Sequence, residues 1–119
     1  MVHRQETFAR VTLPGHTTRI PKYEVDYFVD GVWAGHYHRY RKWVVNVFVA
    51  EGSRGKGICQ RMIAHAVKEA GKRIVWIQAY RNNPAAIACY KKIGFVETKK
   101  SLRDQKSLVT LTHSPGAAS

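Results

Sequence analysis

Acidic residues are scarce in this sequence. Its 119 residues hold eight aspartates and glutamates against twenty lysines and arginines, a formal net charge of +12. That excess asks for an anionic partner. Cysteine is scarcer still. Cys59 and Cys89 stand alone, too few for the disulfide framework of a small secreted domain, so a cytoplasmic, reducing compartment is expected. Long apolar runs are missing as well. The longest, Trp43 to Ala50, is eight residues and is broken by Asn46, far short of the ~18 that a membrane span needs. No membrane partner is expected, and Met1 to Glu6 lack the apolar stretch of a secretory signal. Repeats and low-complexity blocks are absent too. What is present is ordinary for a folded protein: 45% apolar and 24% charged residues. One domain over residues 1–112 is expected, long enough to bury a core, with a small-residue tail at 113–119.

The first half of the chain has strand periodicity. Residues 5–11 read as a short first strand, and 12–21, with Pro14, Gly15 and Pro21, as loop. Tyr23 to Val29 alternates apolar and acidic residues, a strand with one wet face. Asp30-Gly31 is a two-residue hairpin signal. Strands over Val32–Tyr40 and Trp43–Val49 follow, joined at Arg41-Lys42. The period then changes: Ile58, Met62, Ile63, Ala66, Val67 and Ala70 recur at helical spacing, and Gly71 closes that helix. Arg73 to Ala79 is a nearly all-apolar strand. Asn83-Pro84 opens a second helix with proline in its first turn, ending at Gly94. Phe95-Val96 begins another strand, Lys99 to Lys106 is a basic loop, and Ser107 to Thr112 is the last strand. A strand, helix and strand in that order form a right-handed βαβ unit with parallel strands. The fold class is α+β: a mixed, mostly antiparallel sheet around a central parallel βαβ unit.

Between the fourth strand and the first helix the chain reads Glu51-Gly52-Ser53-Arg54-Gly55-Lys56-Gly57-Ile58-Cys59. Glycines there let backbone amides converge at a helix N-terminus, which carries about half a positive charge and unpaired N–H donors. That is a phosphate site, and Arg54 and Lys56 add mobile charge. A nucleotide-triphosphate loop needs Gly-Lys-Ser/Thr, whereas Gly57 is followed by Ile58. A dinucleotide fingerprint needs a third glycine at Gln60 and a leading parallel strand. A glycine-rich turn with solvated charges is the remaining alternative.

A second segment, Asn83-Pro84-Ala85-Ala86-Ile87-Ala88-Cys89-Tyr90-Lys91-Lys92-Ile93-Gly94-Phe95, resembles the second motif of the GNAT superfamily of acetyl-CoA-dependent N-acetyltransferases. That motif has Asn, Ala three residues on, Tyr four beyond, and Gly-Phe after the helix. The glycine loop resembles the family's first motif, Arg/Gln-x-x-Gly-x-Gly/Ala, as Arg54, Gly57 and Cys59. Asp30-Gly31 with Gly35 is similar to its second hairpin. The likeness runs from about residue 22 to 112. Cys59 departs from the usual Gly or Ala; it is small enough to tighten the pocket, and a thiol in a first helical turn can be reactive. The helices that the family places between its first two strands have only residues 12–21 available. They are shortened or absent, so the acceptor side should be open.

The resemblance implies acetyl transfer from the acetyl-CoA thioester, as co-substrate, to an amine. Backbone groups of Val47, Phe48 and Val49 would pair with the pantetheine arm in a cleft where the fourth and fifth strands splay. The loop through Arg54, Gly55, Lys56, Gly57, Ile58 and Cys59 would hold the pyrophosphate. Asn83 would bind the pantetheine arm or cap its helix. Tyr90 stands where the family often keeps a general acid, and a phenol can hydrogen-bond to or protonate a departing thiolate. An alkyl amine near pKa ~10.4 must lose a proton to attack, at about 4–5 kcal/mol at pH 7. Residues 32–50 hold no carboxylate. His36 and His38, on one face of a strand by alternation, are the catalytic-base candidates; the positive field, which lowers an amine's pKa, is the other route. His36-x-His38 supplies two zinc ligands and no third stands out, so no metal is expected.

The basic residues exceed what acetyl-CoA needs. One cluster, His36-Tyr37-His38-Arg39-Tyr40-Arg41-Lys42, interleaves aromatics with cations, which suits phosphate contact and base stacking. Another is Lys99, Lys100, Arg103 and Lys106. A large or anionic acceptor, a nucleic acid or a nucleic-acid-bound protein, is the expectation they favour. Direct modification of a DNA base, or a non-catalytic basic module that keeps the same fold, are the alternatives.

Overall fold

The computed structural model describes residues 5–13, 22–98 and 107–114. Four antiparallel strands come first: β1 (Glu6–Thr12), β2 (Lys22–Val29), β3 (Val32–Tyr40) and β4 (Trp43–Val49). Their tight turns rest on residues in left-handed backbone. Asp30 and Gly31 take φ of 51° and 79°, the two positive values of a type I′ hairpin. Arg41, at 54°, turns the chain between β3 and β4. Then follow α1 (Ile58–Ala70), β5 (Val75–Tyr80), α2 (Pro84–Ile93), a two-residue β6 (Val96–Glu97) and β7 (Leu108–His113). The seven strands lie in the order β1-β2-β3-β4-β5-β7-β6. Only β4 and β5 run parallel, bridged by α1. The α+β arrangement expected from the sequence is present.

α1 buries Ile58, Met62, Ile63, Ala66 and Ala70, an i, i+4 stripe that lies on the sheet. Gly71, at φ 62°, ends it and donates its N–H to the Lys68 carbonyl. Tyr37 and Arg39 alternate toward α1. The Tyr37 hydroxyl meets His65 Nδ1 at 2.8 Å, and Arg39 Nη1 donates to the Ala66 carbonyl at 3.0 Å. Asn83 caps α2 by accepting from the Ala86 N–H at 3.2 Å, Pro84 occupies its first turn, and Gly94 closes it at φ 115°.

Four expectations shift. β5 begins at Val75 rather than Arg73, because the Arg73 N–H and Nε both return to the Ala70 carbonyl and finish α1. His113, expected in the tail, is the last residue of β7; it pairs with Val75 and is buried against Phe95. Residues 51–53 form a short 3-10 turn. Cys59 and Cys89 are disulfide-bonded, with Cα atoms 6.5 Å apart, inside the ordinary range for such a bond. Each lies on the flank of its helix that faces the other, a juxtaposition that spacing along the chain does not reveal. The pairing removes the ground on which a reducing compartment was expected. Among the described residues no α-helix precedes Ile58. Of the loop expected over 12–21, Thr12 is instead the last residue of β1; its residues 14–21, the cluster Lys99, Lys100, Arg103 and Lys106, and the tail from Pro115 lie outside the described residues. No helix of the described residues is long and apolar enough to cross a membrane.

His65 gives this fold a pH dependence. It stacks on Phe8 with ring centroids 3.8 Å apart, and burial lowers its pKa below the usual histidine value, partly offset by Glu69. The folded state therefore resists protonation at a pH where the unfolded chain accepts it. Stability is intact above about pH 6.5 and declines as pH falls through and below that value. Urea midpoints at pH 7.5 and 5.5 should show this decline, and a His65→Gln variant should show less of it.

Candidate functional site

A single irregularity opens the sheet. His36 pairs with Phe48 and His38 with Val45, so Asn46 and Val47 together face Tyr37. This is a β-bulge, and Asn46 takes φ 51° to form it, a conformation asparagine tolerates better than most residues. β4 keeps its parallel pairing with β5 only at Trp43–Trp76 and Val44–Ile77. Beyond the bulge the two strands part, and the backbone edge of Val47, Phe48 and Val49 is left without a β5 partner. The expected splay is there.

β4 forms one side of a groove of about 630 Å³ at this opening. The loop ahead of α1, α1's first turn and α2 with its cap supply the rest. Val47, Phe48, Val49, Arg54, Gly55, Gly57, Ile58, Cys59, Asn83 and Tyr90, all expected from the sequence, line it. Ser53, Gln60, Ala85, Ala86 and Cys89 line it too; of these the sequence marked only Ala86, as part of the second motif, and gave none of them a place in the site. Lys56 is the exception among the expected cofactor-binding residues, and the catalytic-base candidates His36 and His38 are not in the groove lining either. Lys56 lines an adjoining cavity of about 540 Å³ with Trp33 and Ser53. Asn83 lines the groove while capping α2, so its two expected roles coexist in geometry.

The phosphate-type end is α1's N-terminus. Gly57 takes φ 76° with no side-chain cap, which leaves first-turn N–H groups open to a ligand. Gly55 takes φ 77°, and a Cβ at either glycine would meet nothing within 4 Å. These glycines are needed for backbone conformation, not for space. Arg54 Nε reaches back to the Val49 carbonyl at 3.4 Å, which keeps its guanidinium at the groove edge. Tyr90 is buried, and burial pushes its hydroxyl up to about 12. It stays protonated at neutral pH and is a hydrogen-bond donor there.

His36 and His38 do lie on one face, the face away from α1. They are not free imidazoles. Glu24 Oε1 sits 2.8 Å from His38 Nε2 and 3.7 Å from His36 Nδ1, and Asn46 Nδ2 is 3.0 Å from His38 Nδ1. Asp26 stands beside Glu24 and accepts from Trp33 Nε1 at 2.9 Å. The His38 hydrogen bond lowers Glu24's pKa, whereas burial raises Asp26's. Sequence reasoning missed Glu24, Asp26 and Asn46. The signal for the first two was the acidic alternation of β2, which register places directly across from His38 and His36. The same alternation divides the basic cluster: Tyr37 and Arg39 are 1% and 5% exposed, so they offer neither a stacking ring nor a phosphate contact.

Three comparisons bear on this arrangement. The family profile described as "Acetyltransferase (GNAT) family" matches residues 21–95. The N-alpha-acetyltransferase MAK3 of Arabidopsis thaliana is 29% identical over 68 residues, which are 55% of this chain and 36% of that one. The spermidine N-acetyltransferase from Vibrio cholerae, solved with CoA and spermine, superposes with TM-score 0.66 at 13% identity, over 80% of this chain and 66% of that one. The structure of yncA from Salmonella typhimurium, solved with its cofactor acetyl-CoA, gives TM-score 0.60 at 20% identity over 81% and 65%. The chain thus spans about a third of the curated relative's length.

Proposed function

Because the chain belongs to the acetyltransferase (GNAT) family, we propose that it transfers an acetyl group from acetyl-CoA to an amine. One observation carries the reading: strands parted at a bulge leave a backbone edge with no β5 partner, and it leads to an uncapped helix N-terminus. The amide-bearing pantetheine arm pairs with the Val47–Val49 edge as a strand would. The diphosphate takes the open N–H groups of α1, with Arg54 beside it. CoA bound in the spermidine N-acetyltransferase, and acetyl-CoA in yncA, support this choice of ligand.

In the reaction the amine nitrogen bonds to the thioester carbon, and the C–S bond breaks. A backbone N–H at the groove edge steadies the carbonyl oxygen as it gains charge. Tyr90 donates a hydrogen bond to the departing sulfur. Outright transfer of its proton is uphill: a hydroxyl at about 12 facing a thiol near ~8.5 costs about 5 kcal/mol. Tyr90 therefore stabilises the thiolate as a donor; the nitrogen gives up its proton to solvent as the amide forms, and solvent returns one to the sulfur. For the amine, the chain's +12 charge disfavours the ammonium form and raises the fraction ready to attack. Salt screens that field over about 8 Å at physiological strength, so the pH–rate profile should move to higher pH as salt is added. A salt-independent profile contradicts this step. The acceptor class, including the large anionic acceptor that the overall charge favours, is read by incubation with labelled acetyl-CoA and a panel of amines, proteins and nucleic acids. Label in an amine, with release of free CoA thiol, is the expected result.

A second prediction concerns the diphosphate end. Arg54→Ala should weaken acetyl-CoA binding about tenfold or less at low salt and by a smaller factor at high salt, since the residue is exposed and its contribution is screened. Titration of wild type and variant at two ionic strengths checks it.

A further inference from the structure

On the face opposite α1, β2 and β3 bring three metal-ligating side chains to one point. We propose that Glu24, His36 and His38 form a binding site for a divalent first-row transition ion of the zinc class, a site separate from the acetyl-CoA groove. The donor atoms of the three lie within 4.8 Å of one another. Glu24 Oε1 is 2.8 Å from His38 Nε2 and 3.7 Å from His36 Nδ1. An ion about 2.0–2.1 Å from each of its tetrahedral donors holds them about 3.3 Å apart, a value between those two. Small side-chain rotations suffice.

The site is rigidly built. Its register follows from the Asp30-Gly31 hairpin together with a one-residue bulge at Ala34, where the pairing slips between Tyr27 and Phe28; the two set Glu24 opposite His38 and Asp26 opposite His36. The imidazoles stack with centroids 5.1 Å apart. Asn46, held in left-handed backbone at the bulge, touches His38 Nδ1 at 3.0 Å. With its amide turned so that Oδ1 accepts from Nδ1–H, the Nε2 lone pair is freed for the ion. Asp26 neighbours Glu24 and is itself held by Trp33. The side chains of the three ligands are 16–25% exposed, so an ion can enter from solvent.

Charge points the same way. Among the described residues, no lysine or arginine forms an ion pair with Glu24 or Asp26, in a chain with twenty such cations and eight acids. Two adjacent carboxylates facing two imidazoles suit a dication. Two imidazoles and one carboxylate, with a fourth position open, favour zinc, cobalt, nickel or copper over magnesium or calcium.

The test uses the full chain with any affinity tag removed, stripped by chelator and titrated with cobalt(II). Visible absorption of a low-symmetry cobalt site should grow to one equivalent and collapse when zinc(II) is added. Glu24→Gln, His36→Gln and His38→Gln should each weaken binding at least tenfold, and Asn46→Ala about tenfold, the usual cost of losing an outer partner. Should the histidine variants fold poorly by circular dichroism, the wild type still decides. Zinc(II) must move the imidazole NMR signals of His36 and His38 and leave those of His65 and His113 in place. Absence of the cobalt signal, equal affinity in the Glu24→Gln variant, or zinc shifts at His65 and His113 instead would overturn the site and leave the cluster a hydrogen-bond network only. Acetyl-CoA titration of the Glu24→Gln variant should match wild type, so failure here leaves the acetyl-transfer reading standing.

Discussion

Replacing Tyr90 by phenylalanine should lower kcat by about 10²-fold, the lower range for losing one hydrogen-bond donor to a developing negative charge, with affinity for acetyl-CoA nearly unchanged. The ring stays: Tyr90 is 4% exposed and packs with its centroid 6.2 Å from that of Phe95, contacts that phenylalanine keeps. Only the donor aimed at the departing sulfur is lost. That loss falls on the transition state and not on the bound cofactor, so kcat and kcat/KM fall together. Because burial holds the hydroxyl at about 12, the wild-type rate should show no alkaline loss from Tyr90 across the neutral range. Steady-state kinetics on both proteins at several pH values measure this. An unchanged kcat in Tyr90→Phe would end the assignment.

The second large effect is expected at Gly35. A Cβ there would run into the Phe48 carbonyl oxygen and lie 3.1 Å from the sulfur of Met62. Met62 is fully buried on α1, and Phe48 belongs to the groove's own edge. Neither neighbour can yield without cost, so Gly35→Ala should destabilise by about 1–3 kcal/mol or more, as overpacking does. A drop in Tm of several degrees should accompany it. The same displacement of β4 should weaken acetyl-CoA binding. Gly52→Ala is the contrasting variant: its added Cβ meets nothing within 4 Å, and its stability should stay within about 0.5 kcal/mol of wild type. Thermal melts of the two variants side by side test the contrast.

The legible parts of this molecule were the local ones. Asp30-Gly31, Asn83-Pro84, Gly71 and Gly94 fix turns and helix ends through their own backbone chemistry, and each does so where its residue type said it would. The phosphate end of the groove was legible for the same reason, because a glycine loop ahead of a helix is a short-range signal; the Val47–Val49 edge and Tyr90 came only from the resemblance to the family's motifs. What escaped depends on register between distant segments. Nothing near Asn46 announces a bulge, yet two residues facing one there decide where the sheet opens. Glu24 reads as a solvated strand position until β2 is set against β3, and only then does it become the partner of His36 and His38. Cys59 and Cys89 are 30 residues apart and meet because two helices lie side by side. Lys56 lines the adjoining cavity for a smaller reason: within a tight turn, the direction of one long side chain is set by φ values that the glycines leave open.

The most direct test of the central claim is a calorimetric titration of the protein with acetyl-CoA at low salt. The account predicts one site per chain, competition by free CoA, and a thermal midpoint that rises with ligand, equivalent to about 2.7 kcal/mol at a hundredfold excess over Kd. No heat of binding and an unmoved midpoint at saturating acetyl-CoA would contradict it.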